Sequence, residues 1–214
     1  MGLSISWIAA NEAQIDAVLD ALGLAASGES VRSSPVPPRA KLAMFKLDGW
    51  VFVVSPDCEF ASRERVAAAS RGGAAIGAYL EEHVMVSGAF GATDGRLVWS
   101  VQHDPEHGVE HLDIWGEPPP ALPEIRARLL AQQEADTEDE VDFVFDAPTD
   151  LAATVCGFNP NQFDADVEMT SLRVARPELM KRRAQTPSGS HEIAAGEAVE
   201  KPKRGLFARL FGGR

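Results

Sequence analysis

Hydrophobic and polar positions along the chain alternate at two different periods, which predict short strands and helices. Residues 3–8 alternate with the period of two that is typical of a strand. Apolar positions within 15–22 recur at helical spacing, with Asn11 placed as an N-cap and Gly23 placed to end the helix. The stretch 25–39 is rich in Ser and Pro and therefore predicts a surface loop.

Two Asp-Gly dipeptides predict β-hairpins, because this pair favours the two-residue turn that joins antiparallel strands. Asp48-Gly49 lies between two apolar runs within 41–54, and Asp94-Gly95 lies between two more within 83–103. A third turn, 104–108, leads into a further predicted strand, 109–115. We therefore expect consecutive antiparallel strands arranged as a meander.

Helical spacing and capping residues predict three further helices, over 62–70, 125–134 and 149–155. Compact apolar runs predict two further strands, at 141–145 and 167–174. Strands that come in runs, with helices at intervals, favour an α+β fold. The sequence therefore predicts an antiparallel sheet, a meander of hairpins, packed with about three to four helices.

The composition changes near residue 183, which divides the chain into three predicted parts. These are an acidic α+β domain over 1–183, a flexible linker over 184–204 and a short basic amphipathic tail over 205–214, and we expect the C-terminal region to be disordered. On a helix, four apolar residues of the tail would form one stripe, the predicted anchor: Leu206, Phe207, Leu210 and Phe211. The stripe suits an anionic membrane surface, a partner's groove or the acidic body itself, and so short a segment also fits an idle tail.

Charge is distributed unevenly along the 214 residues, whose net charge is −12. Residues 1–176 hold 12 Lys or Arg and 28 Asp or Glu, a net charge of −16, whereas the remainder holds eight basic and four acidic residues. A body this acidic repels phosphates, so we predict no nucleic-acid binding by the folded part. A basic protein partner is favoured instead, although acidity also serves solubility alone. The most acidic run supplies the predicted partner-binding residues: Asp136, Glu138, Asp139 and Glu140.

Three histidines, His103, His107 and His111, are the residues most suggestive of chemistry. Pro105 and Gly108 argue against a helix here, so we place the histidines on a hairpin with His103 and His111 opposite each other. Such an arrangement can hold a metal ion, and a set of polar surface residues is the alternative interpretation. The sequence contains no CxxC pair, phosphate-binding glycine loop or nucleophile elbow, and we predict no cofactor.

Six short segments follow one another in a recognisable order: Ser6-Trp7-Ile8-Ala9, Glu82-His83-Val84-Met85, Asp94-Gly95-Arg96 to Trp99, His103-Asp104, Gly116-Glu117-Pro118-Pro119, and Val141 to Asp146 with Pro148. Their order resembles that of a family of uncharacterised bacterial proteins over roughly residues 3–160. The resemblance carries no known activity or catalytic residue. It implies a bacterial cytoplasmic protein.

These observations predict a non-enzymatic acidic protein-binding domain. An immunity-type protein that masks a basic toxin by contact is the specific form that we expect. Two alternatives stay open: one is a metal-dependent hydrolase that uses the hairpin between His103 and His111. The other is a peripheral membrane adaptor that acts through the C-terminal tail.

Overall fold

The fold is described by a computed structural model over residues 2–36, 42–136 and 141–175. The strands in this part are β1 (Ser4–Asn11), β2 (Leu24–Ser33), β3 (Ala43–Leu47), β4 (Trp50–Ser55), β5 (Ala74–Glu81), β6 (Val86–Thr93), β7 (Arg96–His103), β8 (Asp113–Gly116) and β9 (Val167–Val174). The α-helices are α1 (Ile15–Leu22), α2 (Arg63–Ala69), α3 (Leu122–Ala135) and α4 (Ala147–Cys156). The strands form one antiparallel sheet in the spatial order β2-β9-β3-β4-β1-β5-β6-β7-β8.

Helices cover both faces of the sheet, and its central strands are therefore buried on both sides. In β1, Trp7 and Ala9 belong to the hydrophobic core under α3 and α4, whereas Ile8 and Ala10 belong to the core under α1 and α2. Neighbouring side chains of a strand point to opposite faces, so β1 contributes to two cores at once. Within the described residues, no helix combines the length and the apolar character needed to cross a membrane.

The two Asp-Gly hairpins are confirmed. Asp48 and Gly49 join β3 to β4 with φ angles of 48° and 81°, and Asp94 and Gly95 join β6 to β7 with φ angles of 50° and 81°. Positive φ at both central residues is the requirement of a type I′ turn, which matches the twist of the flanking strands. The strands β5 to β8 follow one another as a meander, and the predicted α+β class with an antiparallel sheet is confirmed.

The prediction of a loop over 25–39 is wrong for most of that stretch, which forms β2. This strand lies at one edge of the sheet and pairs with β9, and a bulge between Ala26 and Ser30 includes Gly28 at φ 84°. Most of its described side chains are exposed, so it lacks the hydrophobic alternation by which strands are recognised. The sequence also misses β5, because a strand buried on both faces shows no alternation either.

The run 141–145 is not the strand that its apolar character predicts. It leads into α4 through a 3₁₀ turn, and Val144 and Phe145 are buried. The Asp142 side chain accepts a hydrogen bond from the Phe145 amide at 3.1 Å, which stabilises a turn rather than an extended chain. A short apolar run is compatible with a strand or with a buried turn, and its periodicity alone does not separate the two.

Two glycines of β6 let large aromatic rings lie directly on the sheet. A Cβ atom at Gly88 would lie 2.4 Å from the Tyr79 ring, and one at Gly91 would lie 2.0 Å from Nε1 of Trp99. Both rings are buried, so neither can move aside without disturbing its core. The pairing of β6 with β7 also shifts register directly after Gly91.

Replacing Gly91 by alanine is expected to lower the free energy of unfolding by about 1–3 kcal/mol, because the new methyl group overlaps the Trp99 indole. Thr93→Ala is the matched control in the same strand, since Thr93 is exposed and its change should stay within about 0.5 kcal/mol. Chemical denaturation followed by circular dichroism measures both values. Equal stability of the two variants would contradict the packing described for β6.

Candidate functional site

An acidic, exposed stretch lies at one edge of the sheet, in the connection from β7 to β8 and in β8 itself. Residues 104–117, here called the acidic edge, contain five Asp or Glu residues and no Lys or Arg. Four of the five acidic side chains are exposed: Glu106, Glu110, Asp113 and Glu117. None of the ion pairs among the described residues involves Glu110, Asp113 or Glu117, so their charges remain available to a partner.

Exposed hydrophobic side chains concentrate at the same edge. Of the seven large hydrophobic residues exposed in the described part, Val109, Ile114 and Trp115 belong to the acidic edge and Val98 belongs to the neighbouring strand β7. Trp115 is 54% exposed. Single exposed hydrophobic residues are ordinary, but a group of them rimmed by polar residues marks an interaction site.

The position of β8 explains why these side chains are uncovered. β8 is the last strand of the sheet, and its outer edge pairs with no strand of the described part. Trp115 lies opposite Ser100 of β7, and Ile114, the preceding residue, points to the other face of the sheet. Gly116 ends the strand at φ 74°, where a Cβ atom would lie 2.1 Å from the Val98 carbonyl oxygen. Each face of this strand therefore presents one apolar side chain.

Arg63 of α2 is a cation on the same face of the sheet as Trp115. Its guanidinium donates a hydrogen bond to the Gln102 side chain and lies 3.4 Å from the hydroxyl of Ser100, the residue opposite Trp115. The guanidinium also lies 5.5 Å from the centre of the Phe90 ring. These contacts fix the cation against the sheet, on the face to which Trp115 points.

His103, the last residue of β7, fastens the connection to the sheet. Its imidazole is fully buried. Nδ1 lies 3.0 Å from the carbonyl oxygen of His111, and Nε2 lies 2.8 Å from a carboxylate oxygen of Asp142. One side chain thus joins the end of β7 to the returning half of the acidic edge and to the segment that precedes α4.

Both ring nitrogens of His103 are used in hydrogen bonds. The His111 carbonyl oxygen only accepts, so Nδ1 carries the proton of that bond. Nε2 and the Asp142 carboxyl group share a second hydrogen bond. The other carboxyl oxygen of Asp142 accepts from the Phe145 amide, so both of its oxygens are hydrogen-bonded.

Asp104 shapes the start of the acidic edge. Its Oδ1 accepts a hydrogen bond from the Glu106 amide at 3.0 Å and caps a 3₁₀ turn, Pro105–His107. Its Oδ2 is buried without a hydrogen-bond partner in the described part, 3.7 Å from Nδ1 of His107. The Nδ1 atom of His111 is likewise buried and unpartnered there. The polar groups of this turn are therefore less completely satisfied than those around His103.

The structure keeps the three histidines in one connection but gives them different surroundings. His103 uses both nitrogens in buried hydrogen bonds, and it meets the backbone of His111 rather than the ring. The rings of His107 and His111 lie near each other, with centres 5.0 Å apart. Among residues 2–36, 42–136 and 141–175, no three His, Cys, Asp or Glu side chains are grouped so as to hold a metal ion. The predicted ligand set is therefore not brought together.

The predicted acidic run is described only at its beginning, Asp136. Three of its residues lie outside the described part, as do the four anchor residues of the tail: Glu138, Asp139, Glu140, Leu206, Phe207, Leu210 and Phe211. Asp136 accepts a hydrogen bond from the Val141 amide at 3.2 Å. Val141 adjoins Asp142, the partner of His103, so Asp136 and Val141 lie near the start of the acidic edge.

Neither thiol is arranged as a reactive nucleophile. Partial burial raises the pKa of Cys58, and the negative charge of Glu81 raises it further. The preceding residue, Asp57, makes a smaller contribution in the same direction. Burial raises the pKa of Cys156 to about 11. Both thiols therefore stay protonated at neutral pH, whereas the thiolate is the reactive form.

Comparisons of the chain with protein-family models, with curated proteins and with solved structures find no match. The resemblance to a bacterial family and the cytoplasmic location stay predictions. The fold and the site together define an antiparallel α+β domain with an acidic edge that exposes apolar side chains, and its function is argued below from that geometry.

Removing the His103 imidazole is expected to destabilise the protein by about 2–5 kcal/mol, because His103→Ala leaves a cavity in the interior and removes the hydrogen-bond partner of Asp142. His107→Ala is the matched control: it removes an imidazole from the same connection, but one that is 44% exposed. Denaturant titration of both variants gives the two values. The hydrogen bonds of His103 would lose their assigned role if His103→Ala cost no more than the control.

Proposed function

We propose that the protein is a non-enzymatic binding protein whose acidic edge takes a basic protein partner. An immunity-type protein that masks a basic toxin by contact is the specific form of the proposal. The observation that carries it is an exposed tryptophan, Trp115, on an edge strand whose neighbouring residues include Asp113 and Glu117. An acidic surface that covers a basic toxin would also occupy a site built for anionic substrates.

The apolar residues of the acidic edge are the source of affinity in this proposal. Interfaces draw most of their binding energy from a few buried side chains, among which tryptophan is prominent. Trp115 has the required exposure in the described structure, and Ile114 supplies a second apolar contact on the opposite face of β8. A partner that closes around this edge strand would bury both.

The acidic residues are the source of selectivity and of fast association in this proposal. Glu106, Glu110, Asp113 and Glu117 surround the apolar side chains without a Lys or Arg between residues 104 and 117. Such a field accelerates the approach of a cationic partner and repels an anionic one. This electrostatic attraction is screened beyond about 8 Å at physiological ionic strength, so binding should weaken as the salt concentration rises.

The edge of β8 also offers backbone groups. An extended segment of a partner can add to an exposed sheet edge as a further strand, with backbone hydrogen bonds for affinity and side-chain contacts for selectivity. The buried His103–Asp142 pair holds the acidic edge in position beforehand, which reduces the ordering that binding would otherwise require.

A purely protective role of the acidic residues is the competing interpretation. Charged side chains on an edge strand discourage sheets from joining edge to edge. That role does not account for Trp115 and Ile114, because exposed apolar residues promote association. We do not propose the hydrolase alternative, since the described residues bring no three metal ligands together. The membrane-adaptor alternative stays a prediction, because the tail lies outside the described part.

Affinity capture from the protein's own cells, followed by binding measurements on the recovered partner, tests the proposal. Trp115→Ala is expected to weaken binding about 30-fold, the effect of losing a central aromatic contact. Val31→Ala is the matched control, because Val31 is 60% exposed on β2 at the opposite edge of the sheet. Its effect should stay below about threefold.

The double variant Asp113→Asn/Glu117→Gln tests the electrostatic part separately. It should slow association and reduce the salt dependence while leaving dissociation nearly unchanged. The proposal fails if binding of the partner is insensitive to Trp115 and to both charges, or if the recovered partner presents no basic surface.

A further inference from the structure

The acidic edge is uncovered in the described part of the chain, yet the same chain carries a segment of complementary chemistry. We infer that residues 201–214 dock on the acidic edge of their own chain. The inference rests on the proposed function in that it assigns the same surface, and it adds that a partner must displace the chain's own C-terminal segment. Three observations carry it: charge, apolar pattern and reach.

The charges of the two segments are opposite and of equal number. The acidic edge holds five acidic residues and no Lys or Arg, whereas residues 201–214 hold five Lys or Arg and no Asp or Glu. Residues 129–172 also lack Lys and Arg, so charge alone does not select the acidic edge, and the exposed apolar residues that concentrate there do. Opposite fields guide two tethered segments together and determine which surfaces meet.

The apolar patterns also match. Leu206, Phe207, Leu210 and Phe211 are spaced so that a helix would carry them on one side, with basic residues around them. The acidic edge presents Trp115 and Val109 to solvent within its own charged rim. Contact between the two would cover apolar surface on both partners and pair the surrounding charges.

The chain is long enough to make the contact. Seven strand spacings separate β9 from β8 in the sheet, which corresponds to about 34 Å. Between Ala175 and Lys201 lie 25 residues, whose mean end-to-end distance as a coil is about 25–30 Å and whose extended limit is about 85 Å. A tethered segment that spans its site has an effective concentration on the order of mM, so even weak docking is well populated.

Docking of this kind makes binding at the acidic edge competitive. A basic partner meets an edge already occupied by residues 201–214, and only a partner that binds more tightly than the tethered segment takes its place. Weak cationic competitors are excluded, and Trp115 is covered until the partner arrives. The tail predicted from the sequence then acts on the body, through Leu206, Phe207, Leu210 and Phe211.

The indole N–H resonance of Trp115 in the full-length protein tests the inference by nuclear magnetic resonance, after its assignment with Trp115→Phe. The double variant Phe207→Asp/Phe211→Asp is expected to shift this resonance and the amide resonances of 113–117. The indole of Trp7, which is buried in the core, should not move. Ile193→Asp/Val199→Asp is the matched control, because it places the same two charges in the tail outside residues 201–214. It should leave Trp115 unchanged.

Two further outcomes would overturn the inference. The first is a Trp115 resonance that is unchanged in Phe207→Asp/Phe211→Asp. The second is a difference between the Trp115 resonances of the wild type and the double variant that disappears when the wild-type protein is diluted tenfold. Contact within one chain does not depend on concentration, whereas contact between two copies does. A shift that persists on dilution and is reduced by raised salt supports docking within the chain.

The same variants separate this inference from the proposed function. If the tail docks, Phe207→Asp/Phe211→Asp should bind the recovered partner several-fold more tightly, because the competitor is gone. An unchanged Trp115 resonance together with strong sensitivity of partner binding to Trp115→Ala overturns the docking of the tail and leaves the proposed function standing. A shifted resonance together with partner binding that ignores Trp115 supports tail docking and overturns the proposed function.

Discussion

The hydrogen bonds of His103 connect three segments that lie far apart in sequence, and the shape of the acidic edge depends on them. The ring is buried at the end of β7, its Nδ1 reaches the His111 carbonyl oxygen and its Nε2 reaches Asp142. Without these contacts the connection would be held by the capped turn at Asp104, by the packing of Leu112 against the core and by the four residues of β8. A buried polar group is costly unless it is hydrogen-bonded, so His103 and its two partners stabilise the site together.

This constraint links the interior of the protein to its surface. The helices on both faces cover the central strands, but β8 lies at the edge and shows Ile114 and Trp115 to solvent. Because His103 holds the connection that leads into β8, these apolar side chains and the nearby acidic residues have a defined arrangement before any partner binds. Preorganised surfaces lose less conformational entropy on binding, which favours a binding role over a merely soluble exterior.

The sequence predicts the parts of the fold that depend on local chemistry. Asp48-Gly49 and Asp94-Gly95 determine their turns by themselves, and Gly23 ends α1 in the left-handed conformation expected of it. Strands β2 and β5 and the turn at 141–145 depend on pairing and packing with distant residues, so local pattern misses them. The features of the candidate site also differ in whether the sequence alone reveals them. The absence of Lys and Arg from 104–117 is visible in the sequence, whereas exposure of Trp115 requires knowing that β8 is the last strand.

The pairing of His103 with Asp142, 39 residues away, has no local signal either, and the account depends on it most. Nitrogen-15 resonance spectra of the histidine side chains in the full-length protein test it most directly. The account predicts that one imidazole, identified by its loss in His103→Gln, keeps its ring protons in slow exchange with water, because both nitrogens are hydrogen-bonded in the interior. Ring protons that exchange as fast as those of the exposed His107 would contradict the buried hydrogen bonds and the ordered edge that they support.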